Sequence, residues 1–383
     1  MKRAACIADL RQIAKRRLPK MFFDYVDGAA WTESTHIANM TELAAIKLNQ
    51  RVAIDVSNRS AETKLLGQSA RLPLAMAPTG LTGVIWPNGE VLTMKACEAV
   101  GIPYCLSTVS ITSLEDLGKV ASNPFWFQLY VIRDRDFIER LIQRVEAVGI
   151  ETLVVTLDLQ MVGQRNKDIQ NGLTSPPKPT ITNLLDIIRR PAWCYEMLRF
   201  RNVRFGNLEG HVENLGDGKS LAEWTNEQFD PSLNWEDVKR LRGRWKGKLI
   251  LKGILNPADA QTAAEIGADA IVVSNHGGRQ LDGAPGTIQV LPDIARKVDG
   301  RCEILIDGGF TSGQDIFRAL SSGAHGVLMG RAMLFGLGAG GQAGVEKALG
   351  FIVHEFETTM GLCGVTSVSD IGPHNIYQPA LNC

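Results

Sequence analysis

Eight short apolar runs, each ending in polar or glycine residues, constrain this chain more than any other feature. They are Leu72 to Ala77, Ile102 to Leu106, Trp126 to Tyr130, Thr152 to Asp158, Lys248 to Lys252, Ala270 to Ser274, Glu303 to Asp307 and Gly326 to Met329. Segments of helical periodicity, such as Asp136 to Val148 and Ala258 to Ile266, stand between them. That alternation builds parallel βα units. Six of the seven start-to-start spacings are roughly 20 to 35 residues, about one βα unit. The gap from Asp158 to Lys248 is roughly 90 residues, far more than a loop and helix need, so an insertion is expected at 159–247. The expected organisation is one domain: a helical cap over 1–70, a barrel over 71–372 and a tail over 373–383.

The runs end in Thr79, Ser107, Gln128, Tyr130, Thr156, Asp158, Lys252, His276, Arg279, Asp307 and Arg331. A purely structural strand end tends to carry turn residues; these carry titratable groups and hydrogen bonders. A (β/α)8 TIM barrel gathers the C-terminal ends of all its strands at one site. A doubly wound sheet collects its ligands at a switch point instead. The expected fold is therefore α/β, a TIM barrel with an N-terminal helical cap and a long insertion after the fourth run.

Composition narrows the function. Lys+Arg and Asp+Glu both number 41, so formal net charge is zero, which argues against a nucleic-acid binder. Seven cysteines stand singly with no CxxC pair, which offers neither a disulfide framework nor a metal site and fits a reducing, cytoplasmic setting. The N-terminus lacks the apolar core of a signal peptide, and no run approaches ~18 apolar residues, the length that spans a bilayer.

Ser274-Asn275-His276-Gly277-Gly278-Arg279-Gln280-Leu281-Asp282 is the strongest local signal. A lone histidine is more often structural, but this one leaves a buried run and precedes two glycines and an arginine. The glycines admit close backbone approach to a planar ligand; His276 can then act as a base and Arg279 as an anion clamp. Asp307-Gly308-Gly309 and Gly330-Arg331 end the last two runs, where barrels commonly bind phosphate. Either pair alone is two tight turns; together they read as a phosphate site. Asp158 can orient His276, and Arg165 can meet a carboxylate, although both are equally readable as surface ion-pair members. Lys252 ends a buried run, which is costly without an anion or dipolar ligand.

FDYVDGAA, LAMAPTG, WFQLYV, LILKGI and SNHGGRQLDG, standing in this order from about residue 5 to about residue 372, resemble the FMN-dependent L-2-hydroxy-acid oxidase and dehydrogenase family, with the greatest likeness to its bacterial respiratory branch. The resemblance implies oxidation of a small 2-hydroxy acid, foremost L-lactate, to the 2-keto acid. It implies His276 as the base with Asp158 beside it. Arg165, Arg279 and Tyr25 would hold the substrate carboxylate, and Tyr130 its hydroxyl or carbonyl oxygen. Thr79, Ser107, Gln128 and Thr156 would bind the isoalloxazine, and Pro78, Gly80 and Ser274 would also belong to the cofactor site. Lys252 would sit by flavin N1; Asp307 and Gly309 would take the ribityl-phosphate end, and Gly330 and Arg331 the phosphate. His276 would take a proton from C2 or from the hydroxyl, a carbanion or a hydride route between which the sequence does not choose. Thr311 stands where the family commonly has a phosphate-reaching arginine. A homotetramer is expected from the family alone.

Two other readings compete. A different FMN or phosphate-binding barrel enzyme explains the phosphate loops but not the paired arginines, tyrosines and His–Asp pair. A non-catalytic flavin module would not need every catalytic position filled. Leu81 and Val109 should line the substrate pocket, and neither is a large aromatic, so lactate fits and mandelate is not barred. The acceptor can be oxygen, a quinone or a cytochrome, with quinone preferred. Residues 178–205 interleave Lys178, Arg189, Arg190, Arg199, Arg201 and Arg204 with apolar and aromatic residues. Such a stretch suits an anionic membrane surface, and Pro191 should split it into two short helices that lie on a bilayer without crossing it. Packing on the barrel or on another subunit is the competing reading.

Overall fold

A computed structural model describes residues 1–173, 180–199, 205–208 and 229–378. The apolar runs become barrel strands because alternate residues meet two different surroundings. A hairpin, β1 (Thr63–Leu65) and β2 (Gln68–Ala70), precedes β3 (Leu74–Met76), β4 (Cys105–Ser107), β5 (Trp126–Tyr130), β6 (Thr152–Thr156), β7 (Lys248–Ile254), β8 (Ala270–Val273), β9 (Glu303–Ile306) and β10 (Gly326–Met329). Strands β3 to β10 form one parallel sheet in the order β3-β10-β9-β8-β7-β6-β5-β4. No ladder joins β3 to β4; there the Met76 amide donates to the Pro103 carbonyl at 2.8 Å. Each barrel strand is followed by a helix, so the fold is the expected (β/α)8 TIM barrel.

Along each strand one set of side chains fills the barrel interior. Ala75, Cys105, Trp126, Val154, Ile250, Val272, Leu305 and Leu328 form that inner cluster. Residues between them, such as Phe127, Val155, Leu251 and Ile306, pack outward on the helices. Each fully buried side chain of this size contributes ~1.5–3 kcal/mol. The outer helices match: in Arg135–Ala147, Phe137, Ile138, Leu141, Ile142 and Val145 are the buried face, and the Asp134 side chain caps its N-terminus by accepting from the Phe137 amide. A cap of this kind is worth ~1 kcal/mol.

The structure shifts several sequence-derived boundaries. The second run was expected to begin at Ile102, but β4 starts at Cys105; Pro103 has no N–H for a ladder. Asp158, Ser274 and Asp307 lie just beyond their strands, where the chain leaves the sheet at the barrel mouth. Strand β7 runs on to Ile254 through an irregularity at Gly253, whose φ is +100°. A Cβ there would lie 2.7 Å from the Asp158 side chain, so glycine makes room for it.

The cap also needs correction. Helices α1 (Ile7–Arg17), α2 (Lys20–Asp27) and α3 (Ser34–Ala45) fit the expectation, but the helical part ends at Ala45. Residues 63–70 are the β1–β2 hairpin, which plugs the opposite, N-terminal end of the barrel: Leu65, Leu66 and Ala70 join the inner cluster. The Trp126 indole donates to Gln68 Oε1 at 3.1 Å and the Leu66 amide to the Glu303 carboxylate at 3.0 Å. Strands of three residues are too short to show a period of two. Within the insertion, helices Ile181–Ile188 and Pro191–Arg199 are separated at Pro191, as expected.

Candidate active site

Two residues beyond the inner cluster, the same alternation places polar groups at the barrel mouth. Ser107, Gln128, Thr156, Lys252, Ser274 and Asp307 are all under 10% exposed. They are satisfied largely by one another. Ser107 Oγ donates to Gln128 Oε1 at 3.0 Å, and Gln128 Nε2 donates to Thr156 Oγ1 at 3.0 Å. Lys252 Nζ donates to Ser274 Oγ at 2.8 Å and pairs with Asp307 Oδ2 at 2.9 Å. Burial works against the lysine charge, but Asp307 and Asp158 outweigh it, so the Lys252 pKa lies above its ordinary value. Pro78, Thr79 and Gly80 follow β3; a Cβ on Gly80 would meet Val109 Cγ2 at 2.6 Å.

The loop after β8 is held in a costly conformation. His276, Gly277 and Gly278 have φ of 56°, 65° and 76°, and the left-handed region costs a non-glycine residue roughly 1–2 kcal/mol. Five contacts enforce it. Ser274 Oγ accepts from the His276 amide at 3.1 Å, and Asn275 Oδ1 accepts from the Gly278 amide at 3.1 Å. The Gly278 carbonyl accepts from the Ala30 amide at 2.9 Å, and the Gly277 carbonyl from Arg331 Nη1 at 2.9 Å. His276 Nδ1 lies 2.9 Å from Asp158 Oδ1. An ionised aspartate only accepts, so Nδ1 carries the proton and Nε2 keeps its lone pair. Burial would raise the Asp158 carboxyl, but His276 and Lys252 bring it below its ordinary value. For His276 burial dominates over the help of Asp158, so its pKa is below 6.5 and the ring is neutral at neutral pH.

Arg165, Arg279, Tyr25 and Tyr130 surround this pair. The Tyr25 ring lies 5.0 Å from the Arg279 guanidinium carbon and 6.0 Å from that of Arg165. Arg279 Nη1 donates to the carbonyls of Tyr25 and Gly28 at 2.7 and 2.9 Å, leaving Nε and Nη2 uncommitted among the described residues. Arg165 pairs with Asp168 at a long 3.4 Å. The buried Tyr130 hydroxyl has its pKa pushed up, first by burial and then by Asp158 and Tyr25.

Arg331, expected at the phosphate, is also tied to the backbone of the cap and of the loop after β8. Its Nε, Nη1 and Nη2 donate to the carbonyls of Val26, Gly277 and Gly28 at 2.9, 2.9 and 2.8 Å. The last carbonyls of α2 lack helical partners, and Arg331 and Arg279 satisfy them. Three of the five guanidinium N–H groups are used in this way. Gly309, with φ +83°, comes so close to α3 that a Cβ would lie 2.9 Å from the Asn39 backbone. The Gly330 Cβ position faces Thr79. Thr311 is exposed, its amide donating to Asp315 Oδ2 at 3.1 Å.

Four residues missed in the sequence hold this loop to the cap and to the loop after β6. Asn39 and Asn275 exchange amide hydrogen bonds of 2.9 and 2.8 Å. Asp282 accepts from the amides of Thr32 and Thr35 and from the Ser34 hydroxyl, which pulls its carboxyl well below the usual range. Gln280 donates to the Asp158 and Met161 carbonyls at 2.6 and 2.7 Å. Asn275, Gln280 and Asp282 were inside the quoted motif. Asn39 stands on a helix without any local signal.

The mouth suits a flavin nucleotide. Asp307 Oδ1 is buried without a partner and can accept from a hydroxyl. The Arg279 and Arg331 guanidiniums are pulled down to about 10 and about 9, in each case by burial first and then by a neighbouring arginine. Crowded buried cations of this kind call for anions. Among the described residues no cluster of His, Cys, Asp and Glu could hold a metal ion.

Residues 14–378 match the FMN-dependent dehydrogenase family, and the chain belongs to it. It is an FMN-dependent 2-hydroxy-acid oxidoreductase. Its relatives include the L-lactate dehydrogenase of Caulobacter sp. (strain K31), 44% identical over 95% of this chain and 96% of that one. The L-lactate dehydrogenase of Stenotrophomonas maltophilia (strain R551-3) is 42% identical over 97% and 98%. A solved (S)-mandelate dehydrogenase, described as a monotopic membrane protein, superposes with a TM-score of 0.92 at 34% identity, covering 98% of this chain and 99% of that one.

Proposed function

We propose that the chain oxidises L-lactate to pyruvate and passes the electrons to a membrane quinone. The observation that carries the reaction is the part-buried His276–Asp158 pair, 2.9 Å apart and flanked by Arg165 and Arg279. The two guanidiniums fix the substrate carboxylate, with the uncommitted N–H groups of Arg279 as a fork. Tyr25 supports both cations through its ring face, and Tyr130 donates its hydroxyl to the substrate oxygen. His276 Nε2 takes the proton, and Asp158 stabilises the imidazolium that results. FMN, when bound, accepts the two electrons leaving substrate C2. Ser107, Gln128 and Thr156 bind its ring system, Lys252 keeps a positive charge beside it, and Asp307 Oδ1 accepts from its ribityl chain. Gly309, Gly330 and the remaining N–H groups of Arg331 take the phosphate. L-Lactate is favoured over larger acids by the relatives' activity and by Val109, which is seated against Gly80.

The acceptor reading rests on the insertion. Ile181, Leu184, Leu185 and Ile188 on one helix and Tyr195 and Leu198 on the next are 48–79% exposed. Their opposite faces are anchored: Trp193 is 9% exposed and donates its indole N–H to the Val84 carbonyl at 3.0 Å, and its ring lies 5.2 Å from that of Phe22. Lys15, Arg16 and Arg17 end the adjacent α1, where the Arg16 carbonyl accepts from Arg190. Apolar side chains beside a basic rim suit the interface of an anionic bilayer. No described helix is long and apolar enough to cross a membrane. Of the expected basic set, Lys178, Arg201 and Arg204, with the Arg199 side chain, lie outside the described residues.

Wild type is expected to float with anionic liposomes. A variant with residues 180–205 replaced by a short Gly/Ser linker should lose most of that binding. Equal flotation by both, or none by either, would remove the membrane reading. Steady-state turnover of wild type should be faster with quinone analogues than with oxygen; the reverse order would remove the quinone.

A further inference from the structure

The only side-by-side strands of the barrel without a ladder are β3 and β4. The loops that leave these two strands carry Thr79 and Gly80 on one side and Ser107 and Val109 on the other. At the mouth a single direct backbone bond crosses between them, from the Leu81 amide to the Val109 carbonyl at 3.2 Å. The second bridge is a side chain. Glu90, in the first turn of helix Gly89–Val100, is 0% exposed. Its Oε1 accepts from the Gly83 amide at 3.2 Å and from the Ile111 amide at 3.1 Å, and its Oε2 accepts from the Thr112 hydroxyl at 3.1 Å. One carboxylate thus joins both loops. The packing leaves little slack: a Cβ on Gly83 would lie 2.8 Å from Ile111, and one on Gly89 2.6 Å from the Thr82 carbonyl.

We propose that Glu90 is a positioning residue that closes the β3–β4 seam at the barrel mouth and so sets the Thr79–Gly80 flavin loop against the Ser107–Val109 pocket wall. Among the described residues its three donors make no other hydrogen bond, and two of them are backbone amides of the buried residues Gly83 and Ile111. Losing their acceptor frees the loops to part. The consequence for FMN and for substrate size rests on the function proposed above.

The test uses the holoenzyme and the variants E90A, E90Q and E90D. FMN dissociation is followed by flavin fluorescence, the ring environment by the visible spectrum, and pocket width by relative kcat/KM for L-lactate and a longer 2-hydroxy acid. E90A should weaken FMN binding about tenfold, the scale of unsatisfied buried donors, shift the visible bands and move selectivity toward the longer acid. E90Q keeps one oxygen to accept from both the Gly83 and Ile111 amides, while its NH2 donates to the Thr112 hydroxyl, and should stay within about threefold of wild type. E90D keeps the charge but not the reach, and should resemble E90A; it carries the test if E90A does not fold. Wild-type FMN affinity and spectrum in E90A or E90D would overturn the proposal, as would E90Q as impaired as E90A. Failure of the function reading looks different: wild type would bind FMN that no 2-hydroxy acid reduces, while the affinity and spectral results would still stand.

Discussion

His276→Gln is expected to bind FMN normally and to slow its reduction by substrate at least ~10²-fold, the lower end of what a positioned general base contributes. The ring holds a basic nitrogen lone pair at neutral pH, because its pKa is lowered and Asp158 fixes the proton on Nδ1. Glutamine keeps a comparable size and can still bond to Asp158 but has no basic nitrogen. It also tolerates the loop, whose left-handed stretch is held by Ser274, Asn275 and Arg331 rather than by the imidazole alone. Anaerobic stopped-flow reduction of the flavin measures this directly. A rate within a few-fold of wild type would assign the proton to another group.

Asp158→Asn should lower the rate of flavin reduction by ~10–10³-fold while shifting its pH dependence in a defined direction. An opposite charge at this distance is worth ~1–3 pKa units to its partner. Asparagine still accepts from Nδ1, so the ring keeps its tautomer, but the charge that raises the His276 pKa is gone. The sign follows. In wild type the folded pKa lies below 6.5, so the basic form is fully present above that value and is lost as pH falls through it. Removing Asp158 depresses the pKa further, so the acid limb of kcat/KM moves to lower pH. The base is then neutral at pH 7 in both enzymes, and the lost rate reflects poorer stabilisation of imidazolium rather than a change of resting state. An acid limb that moves upward, or does not move, would contradict the pairing.

Much of the barrel was legible because its signal is local. Strands β5 and β10 fall at the bounds their runs suggest, since five- and four-residue apolar runs between polar loops have one reading once eight of them recur. The polar residues two positions on from Cys105, Trp126, Val154, Ile250 and Leu305 follow from the same alternation. What stayed hidden depends on residues far apart in the chain. Asn39 meets Asn275 across 236 positions, and Glu90 reaches a neighbouring loop 21 positions away. Neither has a spacing that marks it. The hairpin at 63–70 was hidden by its brevity. The carbonyl contacts of Arg331 were also hidden, because the open end of α2 that supplies them lies 303 to 305 positions away and no local pattern reveals it.

The most direct test of the central claim is anaerobic titration of the purified FMN-loaded protein with L-lactate. The bands of oxidised flavin should bleach fully, with one pyruvate formed per flavin, while D-lactate leaves them unchanged. Bound flavin that stays oxidised with L-lactate and with other L-2-hydroxy acids would contradict the account.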